Sequence, residues 1–266
     1  MDRIIIQIYE VQTPFEAGKL IELGVDHIGS VIVSQARWKV SSIKETIRTV
    51  DAADCRSSLI PLFNQMDFVL RALDYYQPDI VHFCESFTRF GDATGDYADL
   101  IRLQENVKKN FPEIKIMRSI PLPQPGKKST VPSLSLARIF EPVSDYFLTD
   151  TLVACESDDF DDPEPVPGFV GLTGQTCDWE TAATLVRNSG IPVILAGGIS
   201  PDNVLEGILK VRPAGVDSCT RTNALDTNGR PVRFKKDIDK VNRFVEEVRR
   251  AERLISKNKL NKEEWR

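Results

Sequence analysis

Short apolar runs alternate with amphipathic stretches along this chain, and the alternation repeats eight times. The apolar runs fall at residues 3–9, 27–33, 57–63, 79–84, 114–120, 146–149, 192–196 and 216–219 and read as strands. Residues 14–23, 42–50, 64–75, 97–110, 133–140, 179–188, 201–211 and 235–255 read as the helices that follow them. Strand then helix, eight times, predicts a closed parallel (β/α)8 barrel of the α/β class, with extended loops on its C-terminal face. In such a barrel the chemistry gathers at the C-terminal ends of the strands, so each strand end is a place to look for acids, bases and anchors.

Composition narrows the class. A chain of 266 residues with 41% hydrophobic content can bury one sizeable core, and we expect a single barrel over residues 1–255 with a Lys- and Glu-rich tail over 256–266. A net charge of −5 argues against a general nucleic-acid binder. No apolar run approaches the roughly 18 residues of a membrane span, and the apolar start is too short for a signal peptide, so a soluble, cytoplasmic protein without a membrane partner is expected. The cysteines Cys55, Cys84, Cys155, Cys177 and Cys219 form no C-x-x-C pair, and the histidines are His27 and His82 alone. Neither disulfides, a metal site nor a cofactor is expected. His27, at the entrance to a strand, reads as structural. The acidic stretch 156–165 lacks the spacing of a calcium loop and reads as a solvated loop. Nothing in the chain points to an oligomeric state.

The most specific chemistry lies in three linked segments: Gly171-Leu-Thr-Gly-Gln-Thr-Cys-Asp-Trp179, Ile194-Leu-Ala-Gly-Gly-Ile-Ser-Pro-Asp-Asn203 and Gly215-Val-Asp-Ser-Cys-Thr220. Gly174, Gly197 and Gly198 allow backbone N–H groups to approach an anion closely, so these turns read as a phosphate cradle. That is where a (β/α)8 barrel places its phosphate site. The segments resemble the phosphoribosylanthranilate isomerase family, whose pattern runs G-G-T-G-K-T-F-D-W, L-A-G-G-L-x-P-x-N-V and G-V-D-x-S-S-G. Thr173, Gly174, Thr176, Asp178, Trp179, Leu195 to Gly198, Pro201, Asn203, Val204, Val216 and Asp217 carry the match. The resemblance implies a (β/α)8 barrel, an Amadori rearrangement in tryptophan biosynthesis, and a phosphorylated sugar derivative as ligand.

It also implies residues. Phe147-Leu-Thr-Asp-Thr151 resembles the family's L-L-D-T, which puts Asp150 on the general acid toward the sugar ring oxygen, a role that needs a carboxyl protonated in a partly dry pocket. Ser34-Gln-Ala-Arg-Trp-Lys-Val-Ser resembles S-x-R-Y-V-S-P, which puts Arg37 near the aromatic carboxylate. In the last turn Cys219-Thr-Arg221 stands for S-S-G, so Cys219, Thr220 and Arg221 are expected at the phosphate, and Gln175 replaces a lysine.

Two strand ends depart from the pattern. The family's K-I-C-G, whose cysteine removes the proton from sugar C2, is here Gln7-Ile-Tyr-Glu10. Its V-Q-L-H-G is here Val81-His-Phe-Cys-Glu85. The candidate bases are therefore Tyr9, a poor base unless perturbed, Glu10, and Cys84 or Glu85. His82, a candidate substrate-binding group, lies on the same face of its strand as Cys84, which allows a Cys and His pair on the inner face. The loops 86–96, 122–130 and 156–165 have no counterpart in the compact family barrel and could form a lid. The expected function is an aldose–ketose isomerase of this kind. The alternatives are a related phosphosugar enzyme of changed specificity and a phosphosugar-binding barrel without turnover.

Overall fold

The computed structural model describes residues 3–85, 87, 97–126, 132–152 and 174–263. Eight parallel strands close into a barrel in sequence order: β1 (Ile5–Ile8), β2 (His27–Ile32), β3 (Arg56–Pro61), β4 (Ile80–Phe83), β5 (Lys115–Leu122), β6 (Tyr146–Thr151), β7 (Val193–Leu195) and β8 (Gly215–Ser218). β1 pairs with both β2 and β8, which seals the ring. Between them run α1 (Pro14–Glu22), α2 (Ser41–Asp51), α3 (Met66–Tyr76), α4 (Ala98–Asn110), α5 (Ser133–Phe140), α6 (Trp179–Asn188) and α7 (Val204–Val211), and α8 (Ile238–Glu263) closes the chain. No helix among the described residues is long and apolar enough to cross a membrane.

Local chemistry sets the ends. Thr13 caps α1 by accepting the Glu16 N–H, with Pro14 in the first turn, and Asp178 caps α6 by accepting the Thr181 N–H at 2.8 Å. α3 and α7 stop at Gln77 and Arg212, both in the left-handed conformation. The helix expected from residue 201 begins at Val204, because Asn203 turns its side chain back on the preceding turn. Its Oδ1 accepts the Ser200 N–H and its Nδ2 donates to the Gly198 carbonyl.

Side-chain alternation divides each strand between two environments. One face packs against the helices in two large apolar clusters, one around Ile6, Ile8, Ile28, Ile120 and Phe147, the other around Ile32, Leu59, Val81, Phe83 and Ile116. The other face fills the barrel, where Tyr9, Val31, Ile60, Cys84, Met117, Leu148 and Ile194 meet. This interior carries a polar thread. The Tyr9 hydroxyl meets Ser58 Oγ at 2.5 Å and His82 Nδ1 at 2.9 Å, and His82 Nε2 meets Ser119 Oγ at 2.9 Å.

The Tyr9 ring occupies the space that a side chain at Gly29 would need. Gly29→Ala is therefore expected to destabilise the barrel by at least about 2 kcal/mol, since neither the ring nor strand β2 can yield without breaking the Ser58 and His82 contacts. Urea unfolding reads this; a midpoint equal to that of the wild type would show that Tyr9 has another place to go.

One element was absent from the sequence expectation. Between β8 and α8 an antiparallel hairpin, β9 (Asn223–Leu225) with β10 (Pro231–Lys236), turns at Asp226, whose carboxylate accepts the N–H groups of Asn228 and Arg230 at 2.8 Å. Gly229 completes the turn with φ 77°, and Phe234 at φ 61° marks the irregularity in β10.

Candidate functional site

Two glycine turns, one at Gly174 and one at Gly197 and Gly198, come together with the turn that follows β8 at Thr220 and Arg221. Gly174, Gly197 and Gly198 have φ of 64°, 87° and 62°. A Cβ on Gly198 would come within 2.6 Å of the Gln175 carbonyl carbon and 2.7 Å of the Thr176 nitrogen, and one on Gly197 would collide with the Thr151 hydroxyl. Thr151 Oγ1 donates to the Gln175 carbonyl at 2.6 Å, which ties the end of β6 to the same turn. No described residue accepts the N–H of Gly197 or Gly198. Thr220 lies beside Gly174, and Arg221 Nε donates to the Gly174 carbonyl at 2.9 Å, which holds its guanidinium at the edge of the cradle. Thr173 lies outside the described residues, as do 86, 88–96, 127–131 and the acidic stretch 156–165.

Gly198→Ala is expected to weaken binding of a phosphate monoester at least about tenfold, because the left-handed backbone costs an alanine about 1–2 kcal/mol before the backbone collision is counted. Calorimetric titration with a sugar phosphate reads the change; unaltered affinity would move the anion elsewhere.

Asp150 points into the barrel, on the face of β6 that carries Leu148. Its Oδ1 accepts the Thr151 N–H at 2.8 Å, and burial pushes its pKa up to about 7. It can hold a proton at neutral pH. A second inward carboxyl, Asp217 on β8, has the same property: burial, aided by the charge of Asp150, raises it to about 7, against the opposing pull of Gln7 and Lys236.

The other groups weighed as bases are held differently. Tyr9 is buried, its hydroxyl is engaged by Ser58 and His82, and desolvation raises its pKa well above the ordinary tyrosine value. Glu10 sits at φ 64° where a glycine would be at ease, and its carboxylate is committed. Arg233 of β10 reaches its Oε1 from Nε at 2.7 Å and from Nη2 at 2.6 Å, and Asn223 Nδ2 donates to Oε2. Cys84 faces the interior with its thiol pushed well above the usual range by burial and by the nearby charges of Glu85 and Asp150. Cys219 is driven up likewise by burial.

Glu85 is paired with Arg118 in a fully buried ion pair on the helix side of the barrel. There the guanidinium also donates to Gln104 and packs over Phe83 and Phe140. His82, with both ring nitrogens engaged and its pKa lowered to about 3 by burial, is a neutral link in the interior thread. His27, likewise lowered to about 4 by burial, meets Gln7 Oε1 from Nδ1 at 3.1 Å.

Arg37 ends the short 3-10 turn after β2, exposed, with no ion pair to a described residue. Three participants went unread in the sequence: Arg233 and Lys236 of the hairpin, and Asp217 as a chemical group. Asp217 was visible only as a motif position, although its place two residues before Cys219 on a strand puts both on the inward face. No group of three metal-ligating side chains forms among the described residues.

Comparison with known proteins bears on this arrangement. The sequence profile described as "PRAI: N-(5'phosphoribosyl)anthranilate (PRA) isomerase" matches residues 128–247, which span the cradle, β6 to β8 and the hairpin. N-(5'-phosphoribosyl)anthranilate isomerase 2 of Methanosarcina mazei is 35% identical over 52% of this chain, which spans about half the length of that relative. The N-(5'-phosphoribosyl)anthranilate isomerase of Methanothrix thermoacetophila is 27% identical over 92% of this chain and 97% of its own. Among solved structures, a phosphoribosyl anthranilate isomerase in complex with reduced 1-(o-carboxyphenylamino)-1-deoxyribulose 5-phosphate superposes with a TM-score of 0.62 at 16% identity. It covers 92% of this chain and 98% of that one.

Proposed function

We propose that this chain, which belongs to the phosphoribosylanthranilate isomerase family as a divergent member, catalyses the aldose-to-ketose isomerisation of N-(5'-phosphoribosyl)anthranilate in tryptophan biosynthesis. The observation that carries the reading is Asp150, an inward carboxyl at the end of β6 with its pKa raised by burial to about 7, beside glycine turns in which no described residue accepts the N–H of Gly197 or Gly198. Opening the sugar ring requires a proton on the ring oxygen, and a carboxyl still protonated near neutrality can give one. The N–H groups of Gly197 and Gly198 would hold the 5-phosphate, with Arg221 at the cradle's edge. Arg37, exposed and without an ion pair to a described residue, would meet the aromatic carboxylate.

A second reading, a phosphosugar-binding barrel without turnover, draws on one observation: Tyr9 and Glu10 stand where the family has its cysteine and glycine, and both are held by other residues. Turnover separates the two. Mixing purified protein with N-(5'-phosphoribosyl)anthranilate is expected to give a saturable loss of substrate fluorescence. Unchanged fluorescence, with the reduced product analogue still binding, would establish the second reading instead.

A further inference from the structure

We propose that Asp217 is the general base of this reaction, the group that removes the proton from sugar C2, in place of the cysteine missing from β1; the inference rests on the isomerisation proposed above. The reaction needs a carboxylic acid for the ring oxygen and a second group, already deprotonated, for C2. Among the described inward and mouth-lining groups, Tyr9 is hydrogen-bonded and protonated, Glu10 is held by Arg233, Glu85 by Arg118, and Cys84 and Cys219 carry thiols far from ionisation. Asp217 remains.

The geometry around Asp217 suits a base. Register places it directly beside Gln7, on the strand next to the one where the family's base would stand. Gln7 Nε2 donates to Asp217 Oδ1 at 3.2 Å and also approaches Met117 Sδ on the far side of the barrel, which fixes the carboxyl inside the ring. His27 Nδ1, bonded to Gln7 Oε1, sets the amide so that its NH2 faces the carboxylate. No described donor occupies Oδ2. Lys236 adds a positive charge from the hairpin, anchored by its own bonds to the Cys219 carbonyl and Asn223 Oδ1, and favours the ionised form.

Asp150 has no such cation among the influences on it, only burial and one backbone N–H. The charge of Asp150 opposes ionisation of Asp217, the weakest of the influences on it. Gln7 and Lys236 favour the ionised form of Asp217, an influence that Asp150 lacks, so the base role falls to Asp217 and the acid role to Asp150.

The step balances without a further reactant. Asp150 gives its proton to the ring oxygen as the C1–O bond breaks and the nitrogen lone pair forms the iminium. Asp217 takes the C2 proton, the C–H electron pair becomes the C1=C2 double bond, and the iminium pair returns to nitrogen. Ketonisation moves the proton from Asp217 to C1 and the C2 hydroxyl proton to Asp150, which restores both groups.

The test assays wild type, Asp217→Asn and Asp217→Glu on N-(5'-phosphoribosyl)anthranilate, with affinity for the reduced product analogue measured on each. Asp217→Asn is expected to lower kcat at least about a hundredfold with analogue affinity within about threefold of wild type, and Glu is expected to recover part of the rate. An Asn variant within about tenfold of the wild-type kcat, or one whose affinity falls as far as its rate, overturns the assignment. Because the Asn variant could fail to fold, Lys236→Met provides an independent reading. Loss of the ammonium raises the Asp217 pKa, so the acidic limb of the kcat/KM profile moves to higher pH; a limb that stays in place overturns the assignment. Absence of turnover in the wild type overturns the isomerase reading itself, whereas turnover that survives in Asp217→Asn removes Asp217 alone.

Discussion

Asp150→Asn is expected to lower kcat by about 10²–10⁴ while the affinity for the reduced product analogue stays within a few-fold. The amide is close in shape to the carboxyl, and its oxygen can still accept the Thr151 N–H, so the local structure of the end of β6 should persist. What it lacks is an acidic proton. Ring opening would then have to proceed by expelling an unprotonated alkoxide, which is why the loss belongs in kcat rather than in binding. For the same reason the wild-type rate should depend on pH. Burial holds the Asp150 pKa near 7, so the protonated form is full at acidic pH and is lost as pH rises through about that value, and the rate should fall on the alkaline side. In Asp150→Asn the residual rate should show no alkaline limb of that origin.

Arg118→Met is expected to produce the largest loss of stability in the barrel, about 3–5 kcal/mol, because it strips the partner from Glu85 where no water can replace it. The guanidinium is fully buried, Gln104 accepts from its Nε at 2.7 Å, and it stacks on Phe140 at 4.8 Å, so packing and charge are lost together. Glu85 Oε1 and Arg118 Nη2 already lack a partner among the described residues, which leaves little to compensate. Arg118→Met with Glu85→Met removes both charges and should recover most of the loss, since a buried ion pair replaced by apolar groups of similar volume is close to neutral. Denaturant unfolding of the two variants decides the matter: a double variant no more stable than the single one would show that packing of the guanidinium, not its charge, holds this side of the barrel.

The barrel was legible because parallel strands buried on both faces leave short apolar runs, and the intervening helices show their amphipathic stretches. Every one of the eight strands falls where the pattern placed it, within a few residues at each end. The hairpin of β9 and β10 was missed because its alternation is weak and its residues are mostly exposed. The Asn228-Gly229 pair ahead of Pro-Val-Arg-Phe-Lys-Lys was the signal available.

The cradle could be read locally, since the need for glycine is written in the glycine itself. The state of Glu10 and Glu85 could not. Their partners lie 223 and 33 residues away, and only the closure of the fold brings a hairpin arginine and an outward arginine of β5 to carboxylates that in sequence look like free bases. The same distance hides Asp217, whose character comes from Gln7 on the first strand and Lys236 beyond the last.

The most direct test of the central claim follows the substrate carbon itself: N-(5'-phosphoribosyl)anthranilate labelled with ¹³C at C2 of the ribose, incubated with the wild-type protein and watched by NMR. The C2 carbinol signal is expected to be replaced by a ketone signal at a rate set by protein concentration. A C2 that remains a carbinol while the reduced product analogue binds to the same preparation would contradict it.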